Sequence, residues 1–278
     1  MKIAIIAREP GNSPNMADKD AAILDCIATE LAAMGAEIDT IGEELAGSYD
    51  AICHMSRNAD MLDILEKAER KGSIVINSTD SVRSCSRLAF MNILCTNNIP
   101  QPPFSIVEEM EALDRLSYPA WIKKADGWSC HKEDVAFARN AGEAKCIFSG
   151  MQERGISRAL HCMHMEGDLL KFYAIGDEFF RYHYPAPEKS KFGLEAINGT
   201  PRHLPFSSTE LKENARLAAE AIGLTIYGGD CIVDTDGNIH IIDINDFPSF
   251  SAVRYEAAEE IARLIVTTIH NKKNERRR

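Results

Sequence analysis

The chain has 278 residues, 45% of them hydrophobic and 26% charged, which is ordinary for a globular protein with a sizeable core. Its formal net charge of −11 argues against nucleic acid as the main partner, because that binding relies on basic patches that neutralise phosphates. No apolar run nears the roughly 20 residues that span a membrane, and the eight cysteines include no C-x-x-C pair. Neither a zinc module nor a disulfide framework is indicated, and a reducing, cytoplasmic setting is expected.

Met1 to Arg8 is too short for a secretory signal and lacks a cleavage-like site, so it reads as a first strand over Lys2 to Ala7. Glu9 to Pro14 is a Pro/Gly/Asn loop. From Ala17 the apolar residues Ala21, Ile23, Leu24, Ile27, Leu31 and Met34 recur at helical spacing until Gly35. Strands follow at Ala36 to Ile41 and Ala51 to Met55, then a helix near Asp60 to Arg70 and a strand at Ser73 to Asn77. Strands alternating with helices imply α/β architecture, a doubly wound parallel sheet over residues 1–82. The first turn has no G-x-G-x-x-G, so no dinucleotide site is assigned.

Asn77 to Arg87 is polar and Ser-rich and reads as a crossing into a second, α+β domain over residues 83–278. Leu88 to Asn97 is helical, and Ile99-Pro100-Gln101-Pro102-Pro103 stops it. Tyr118 to Lys124 is a strand ending in two lysines, and a lysine delivered from a buried strand is a point charge suited to phosphate. The small-residue loop Ala125 to Asp134 offers backbone N–H groups from Gly127 through Ser129 to His131. A plain surface role for His131 stays open, as does one for Trp128 as an anchor of the loop. A strand at Val135 to Ala138, a helix from Ala141 and a strand at Ala159 to Met165 come next.

Leu169 to Ile175 and Glu178 to Tyr184 flank Gly176-Asp177, a two-residue hairpin. Pro185 to Pro205, with Lys189, Lys191 and Arg202, is either a substrate lid or a plain crossing. Leu211 to Ile222 is an amphipathic helix stopped by Gly223, and a last one runs from about Tyr255 to His270. The basic run Lys272 to Arg278 reads as a frayed tail.

Between those last two helices lies Tyr227 to Phe250, where two β-branched runs flank Asp236-Gly237, a strong hairpin signal. A turn closed by that pair sets Asp234 opposite Ile239 and Asp230 opposite Asp243, with Asn245 on the face of Asp243. Ile232 and Ile241 then fall on that face too and argue for partial burial. Like charges facing each other destabilise a sheet, so a cation belongs between them. Mg²⁺ is the expected one, since it takes one or two carboxylates, water and nucleotide phosphates. Strand-end aspartates paired with Lys or Arg are the alternative. A calcium loop at Asp234-Thr235-Asp236-Gly237 is rejected, because its Gly comes too early and no Glu closes it.

At Asp230, Asp243 and Asn245 the chain resembles the ATP-grasp superfamily, which closes its active site with Asp … (Glu or Asp)-x-Asn on an antiparallel pair. The wording Asp243-Ile244-Asn245-Asp246-Phe247-Pro248 is similar to the inositol polyphosphate kinase branch, while the size is similar to the small glutamate ligases. Ser249 stands where both branches have Gly. The resemblance implies a pre-ATP-grasp domain, then two α+β subdomains, the flexible one at about 118–165. It implies Mg²⁺ on Asp230, Asp243 and Asn245, ATP phosphates on Arg87, Lys123 and Lys171, and the base read by backbone near Cys162 and Met163. His161-Cys162 replaces the usual Gln-Glu there.

The implied chemistry is a ligase that joins a carboxylate to an amine through an acylphosphate, with Arg202, Arg181 or Arg254 on the reacting group. A kinase acting on a polyol hydroxyl is the alternative. Small-molecule substrates are the expected partners, nucleic acid and membrane are not, and a homo-oligomer is allowed.

Overall fold

The computed structural model describes residues 1–41, 48–185 and 197–275. Its first unit is a parallel sheet of β1 (Lys2–Ile6), β2 (Glu37–Ile41), β3 (Ala51–His54) and β4 (Ile74–Ile76), in the order β2-β1-β3-β4. Successive side chains on a strand point to opposite faces. Ile3 and Ile5 accordingly enter one core while Ala4 and Ile6 enter another. α1 (Ala17–Ala33) covers the first face through Ile23, Leu24, Ile27 and Leu31. α2 (Ala59–Arg70) covers the second through Met61, Leu62 and Leu65. It starts where the Asn58 side chain accepts the Met61 N–H, one of the first-turn donors with no partner inside the helix.

The expected crossing after β4 is in fact a short helix, α3 (Thr79–Ser84), opened by Ser78, whose side chain accepts the Ser81 N–H. Ser, Thr and Asp favour caps as much as loops, so a Ser-rich stretch does not distinguish the two. α4 (Arg87–Thr96) follows directly. Two antiparallel sheets come next. One holds β5 (Phe104–Val107), β6 (Ala120–Lys124), β7 (Val135–Ala138) and β8 (Ala159–Met163) in the order β5-β8-β6-β7, packed by α5 (Ala141–Glu153). β5, too short to show a period, was not anticipated.

The other sheet holds β9 (Gly167–Ile175), β10 (Phe179–His183), β11 (Ile226–Asp234) and β12 (Ile239–Asn245) in the order β10-β9-β11-β12. α4 and α6 (Ser208–Ile222) pack on it. α7 (Arg254–Glu275) returns to the first sheet, where Ala258, Ile261, Ala262 and Ile265 join the α1 core. The run expected to fray is therefore helical as far as Glu275, with Lys273 Nζ 2.8 Å from Asp50 Oδ1. Architecture of α/β followed by α+β is observed, and no helix among the described residues is long and apolar enough to cross a membrane.

Candidate active site

One cleft of about 920 Å³ is lined by residues of both antiparallel sheets and by Arg8 and Arg57 from the loops that follow β1 and β3. Its floor is the β11–β12 hairpin. Asp230 pairs with Asp243 and Gly228 with Asn245, as the sequence predicts. The route to that register differs. Nearer the turn Val233, not Asp234, faces Ile239, because three residues close the loop and Gly237 takes φ +86°. Asp234 caps the loop instead, accepting the N–H groups of Asp236 and Asn238 and facing His240 Nε2 at 3.0 Å. A β-bulge at Ile242 then adds one residue to β12 and restores the expected pairing at Asp230. The same bulge moves Ile241 off the site face into the core with Cys231, while Ile232 and Ile242 line the cleft. The Gly176 hairpin shows the same three-residue closure, with Ile175 opposite Phe179.

Both aspartates face cations. On the neighbouring strand Lys171 pairs with Asp230, and its Nζ donates to the two carboxylate oxygens at 2.9 and 3.2 Å. Arg87 stands 3.8 Å from Asp243 and donates to Ser129 Oγ at 3.0 Å. Among the described residues no three of His, Cys, Asp and Glu form a metal-holding group. The available set is two carboxylates and the Asn245 amide, all hard oxygen donors, with Asn245 Nδ2 3.4 Å from Asp243. That set suits Mg²⁺, which keeps water and phosphate oxygens in its shell and needs no all-protein cage.

Lys123 lies on β6, 9% exposed, and lines the cleft. Burial lowers its pKa, and among the described residues no carboxylate pairs with its ammonium. Ser129, Cys162, Met163 and Lys171 also line the cleft, as does Arg254 at the start of α7. Other expectations are corrected. His131 is exposed, off the cleft, and caps a single helical turn with Asp134. Arg181 lies on the outer face of β10, paired with Glu256 and stacked over Phe179. Arg202 is exposed as well, and its backbone N–H is held by Asp168 at 2.7 Å.

The backbone at the expected base-reading position is partly committed. Met163 N–H donates to Pro103 O at 2.9 Å and His164 N–H to Pro119 O at 3.1 Å; Cys162, Met163 and Met165 line the cleft, with the Cys162 thiol buried against Met91. Lys189 and Lys191 of the candidate lid lie outside the described residues.

The sequence reading passed over Arg8, Lys19, Arg57 and Asp246. Arg8 and Arg57 follow the carboxyl ends of β1 and β3, where open α/β sheets place ligands, and that rule offered a signal. Arg57 makes a buried pair with Asp246, through Nε at 2.7 Å and a second guanidinium nitrogen. Burial would raise the Asp246 pKa, but Arg57 and Arg8 prevail and hold the carboxyl below its usual range. Arg8 meets Asp20 at 3.2 Å and donates to Phe247 O at 2.5 Å. Asn77 closes the join by donating to the carbonyls of Ile226 and Asp246.

No protein-family model matches the sequence, and no curated protein matches it. Solved structures match over nearly the whole chain. A RimK domain ATP-grasp protein from Sphaerobacter thermophilus superposes with TM-score 0.72 at 16% identity, covering 96% of this chain and all of that one. D-alanine–D-alanine ligase from Bacillus anthracis, in complex with ATP, gives 0.71 at 14% identity and 99% of both chains. The ATP-grasp ligase PsnB, with its precursor peptide PsnA2 and AMPPNP, gives 0.66 at 16% identity, covering 96% of this chain and 97% of its own. Parallel sheet, paired antiparallel sheets and the cleft between them are the ATP-grasp fold, and the described residues of this chain have it.

Proposed function

We propose that the protein is an ATP-dependent ligase that joins a small-molecule or peptide carboxylate to an amine. Lys123 carries the reading. A buried ammonium that no carboxylate pairs with costs several kcal/mol unless an anion joins it, and this one opens on a cleft that also holds Asp230 and Asp243 beside Arg87 and Lys171. A nucleotide triphosphate with its Mg²⁺ satisfies both needs at once. The solved neighbours support the ligase choice over the kinase, since those compared above include two named ligases, with ATP and AMPPNP bound.

Lys123, Lys171 and Arg87 hold the phosphates, while Asp230, Asp243 and Asn245 hold the metal. Mg²⁺ supplies charge neutralisation at the transferred phosphoryl. A substrate carboxylate oxygen attacks the γ-phosphorus, ADP leaves, and an acylphosphate forms. The amine nitrogen then attacks the acyl carbon, the C–O bond to phosphate breaks, and the nitrogen gives up a proton. Of the three arginines considered from sequence, Arg254 alone lines the cleft, and it is the group we assign to the developing oxyanion.

An ADP-release screen that pairs small carboxylates with amines, run with and without Mg²⁺, tests this. Release that needs Mg²⁺, a carboxylate and an amine, with one phosphate freed per ADP, is the expected result. ADP formed with a lone polyol and no free phosphate would instead establish the kinase.

A further inference from the structure

The cleft is also lined by the loop after β1, the first turn of α1 and the segment that leads into α7, and we treat these as one end of it. Arg8, Lys19, Arg57 and Arg254 bring four positive charges there, against one buried aspartate that lines the wall, Asp20. Arg8 ties this end together, because it touches Asp20 on α1 and the Phe247 carbonyl on the way to α7.

Two of the four charges are neutralised. Asp246 takes Arg57, and Asp20, which also accepts from Ser13 Oγ at 2.6 Å, takes Arg8. Arg254 makes no ion pair among the described residues, and its Nε is buried with no hydrogen-bond partner. Lys19 reaches only the Met16 sulfur, at 3.6 Å, and no carboxylate pairs with it among the described residues. In a chain of net charge −11, two unpaired cations inside one cleft need an explanation, since surface lysines usually find acidic neighbours or bulk water.

Resting on the ligase reading, we infer that the acceptor substrate carries two anionic groups. One is the carboxylate that is activated beside Arg254. The other, a second carboxylate, docks on Lys19, a specificity residue that takes no part in the chemistry. The acid that enters is therefore a dicarboxylate or a molecule with that pattern, and the positive field at this end draws it in. The Arg8–Asp20 and Arg57–Asp246 pairs are buried and already committed to each other, which leaves Lys19 and Arg254 to meet the substrate.

Calorimetry on the full chain tests the inference without turnover. Mg²⁺ with a non-hydrolysable ATP analogue is titrated first, then succinate, glutarate and adipate, each beside its monoamide, into wild type, Lys19→Met and Lys19→Glu. At least one diacid is expected to bind wild type ten-fold or more tightly than its monoamide. Lys19→Met should erase that preference and leave monoamide affinity unchanged, and Lys19→Glu should invert it. A preference that survives Lys19→Met, or no diacid preference in wild type with the nucleotide analogue bound, overturns this inference and leaves the ligase reading standing. Failure of the nucleotide analogue to bind overturns both.

Discussion

At the scale of single residues, the proposed phosphate role of Lys123 sets stability against binding. Its ammonium is held in an apolar strand layer between Val135 and Leu160, with its pKa lowered by that burial. Lys123→Met keeps the shape of the side chain and removes the charge. Urea denaturation should show the variant more stable by about 1–3 kcal/mol, while its Kd for Mg-ATP rises at least ten-fold. A variant that loses stability and affinity together would make Lys123 a structural residue. The sequence located a pair of lysines at the end of an apolar strand, and only the family resemblance, through the spacing from Pro119, chose Lys123 over Lys124, which is less buried and stands 3.5 Å from Trp128 O. It failed more fully with Arg181 and Arg202. An arginine written in a strand or loop has the same composition whichever way it points, and the strand packing places Arg181 outward, beside Glu256 75 positions away.

At the scale of elements, the β11–β12 hairpin depends on Gly228-Gly229 as much as on its aspartates. A Cβ at Gly229 would lie 2.3 Å from the Asp243 carbonyl and 2.5 Å from the Phe172 ring. One of those neighbours is backbone in the strand that carries Asp243 and Asn245, so the pair of strands must part. Gly229→Ala should cost about 1–3 kcal/mol and weaken Mg-ATP binding. Gly150→Ala on α5, where nothing lies within 4 Å, should leave binding alone and gain up to about 1 kcal/mol. Thermal melts of both variants, with and without Mg-ATP, separate the outcomes, and an unshifted Gly229→Ala curve would contradict the close-approach argument. Asp230 opposite Asp243 was legible because strand pairing counts outward from a turn. The count held through two offsets that cancel, a three-residue loop at one end and the Ile242 bulge in the middle. The bulge itself was not legible, since Ile242, set between Ile241 and Asp243, reads as one more apolar residue of the strand.

At the scale of the whole molecule, the first sheet and the β11–β12 hairpin are joined by a buried polar seam of Arg8, Arg57, Asn77 and Asp246. Removing one member of a buried pair leaves the other charge uncompensated, which costs about 3–5 kcal/mol, whereas replacing both with apolar groups is often neutral. Asp246→Ala should therefore destabilise the chain strongly, and Arg57→Met with Asp246→Leu should recover most of that loss in the same denaturation assay. Equal destabilisation by the single and the double change would show that the pair itself, and not the stranded charge, sets the cost.

Local periodicity alone specified the alternation of strands and helices in the first unit, because apolar spacing reports which face of each element is covered. A turn dipeptide and strand alternation were likewise enough to bring Asp230, Asp243 and Asn245 onto one hairpin. Which cations enter the cleft was decided only by the tertiary structure. The seam brings Arg57 against Asp246 across 189 positions, and α7 returns to α1 and carries Arg254 to the cleft. Such contacts follow from how whole sheets stack, and a residue's sequence neighbours hold no record of that.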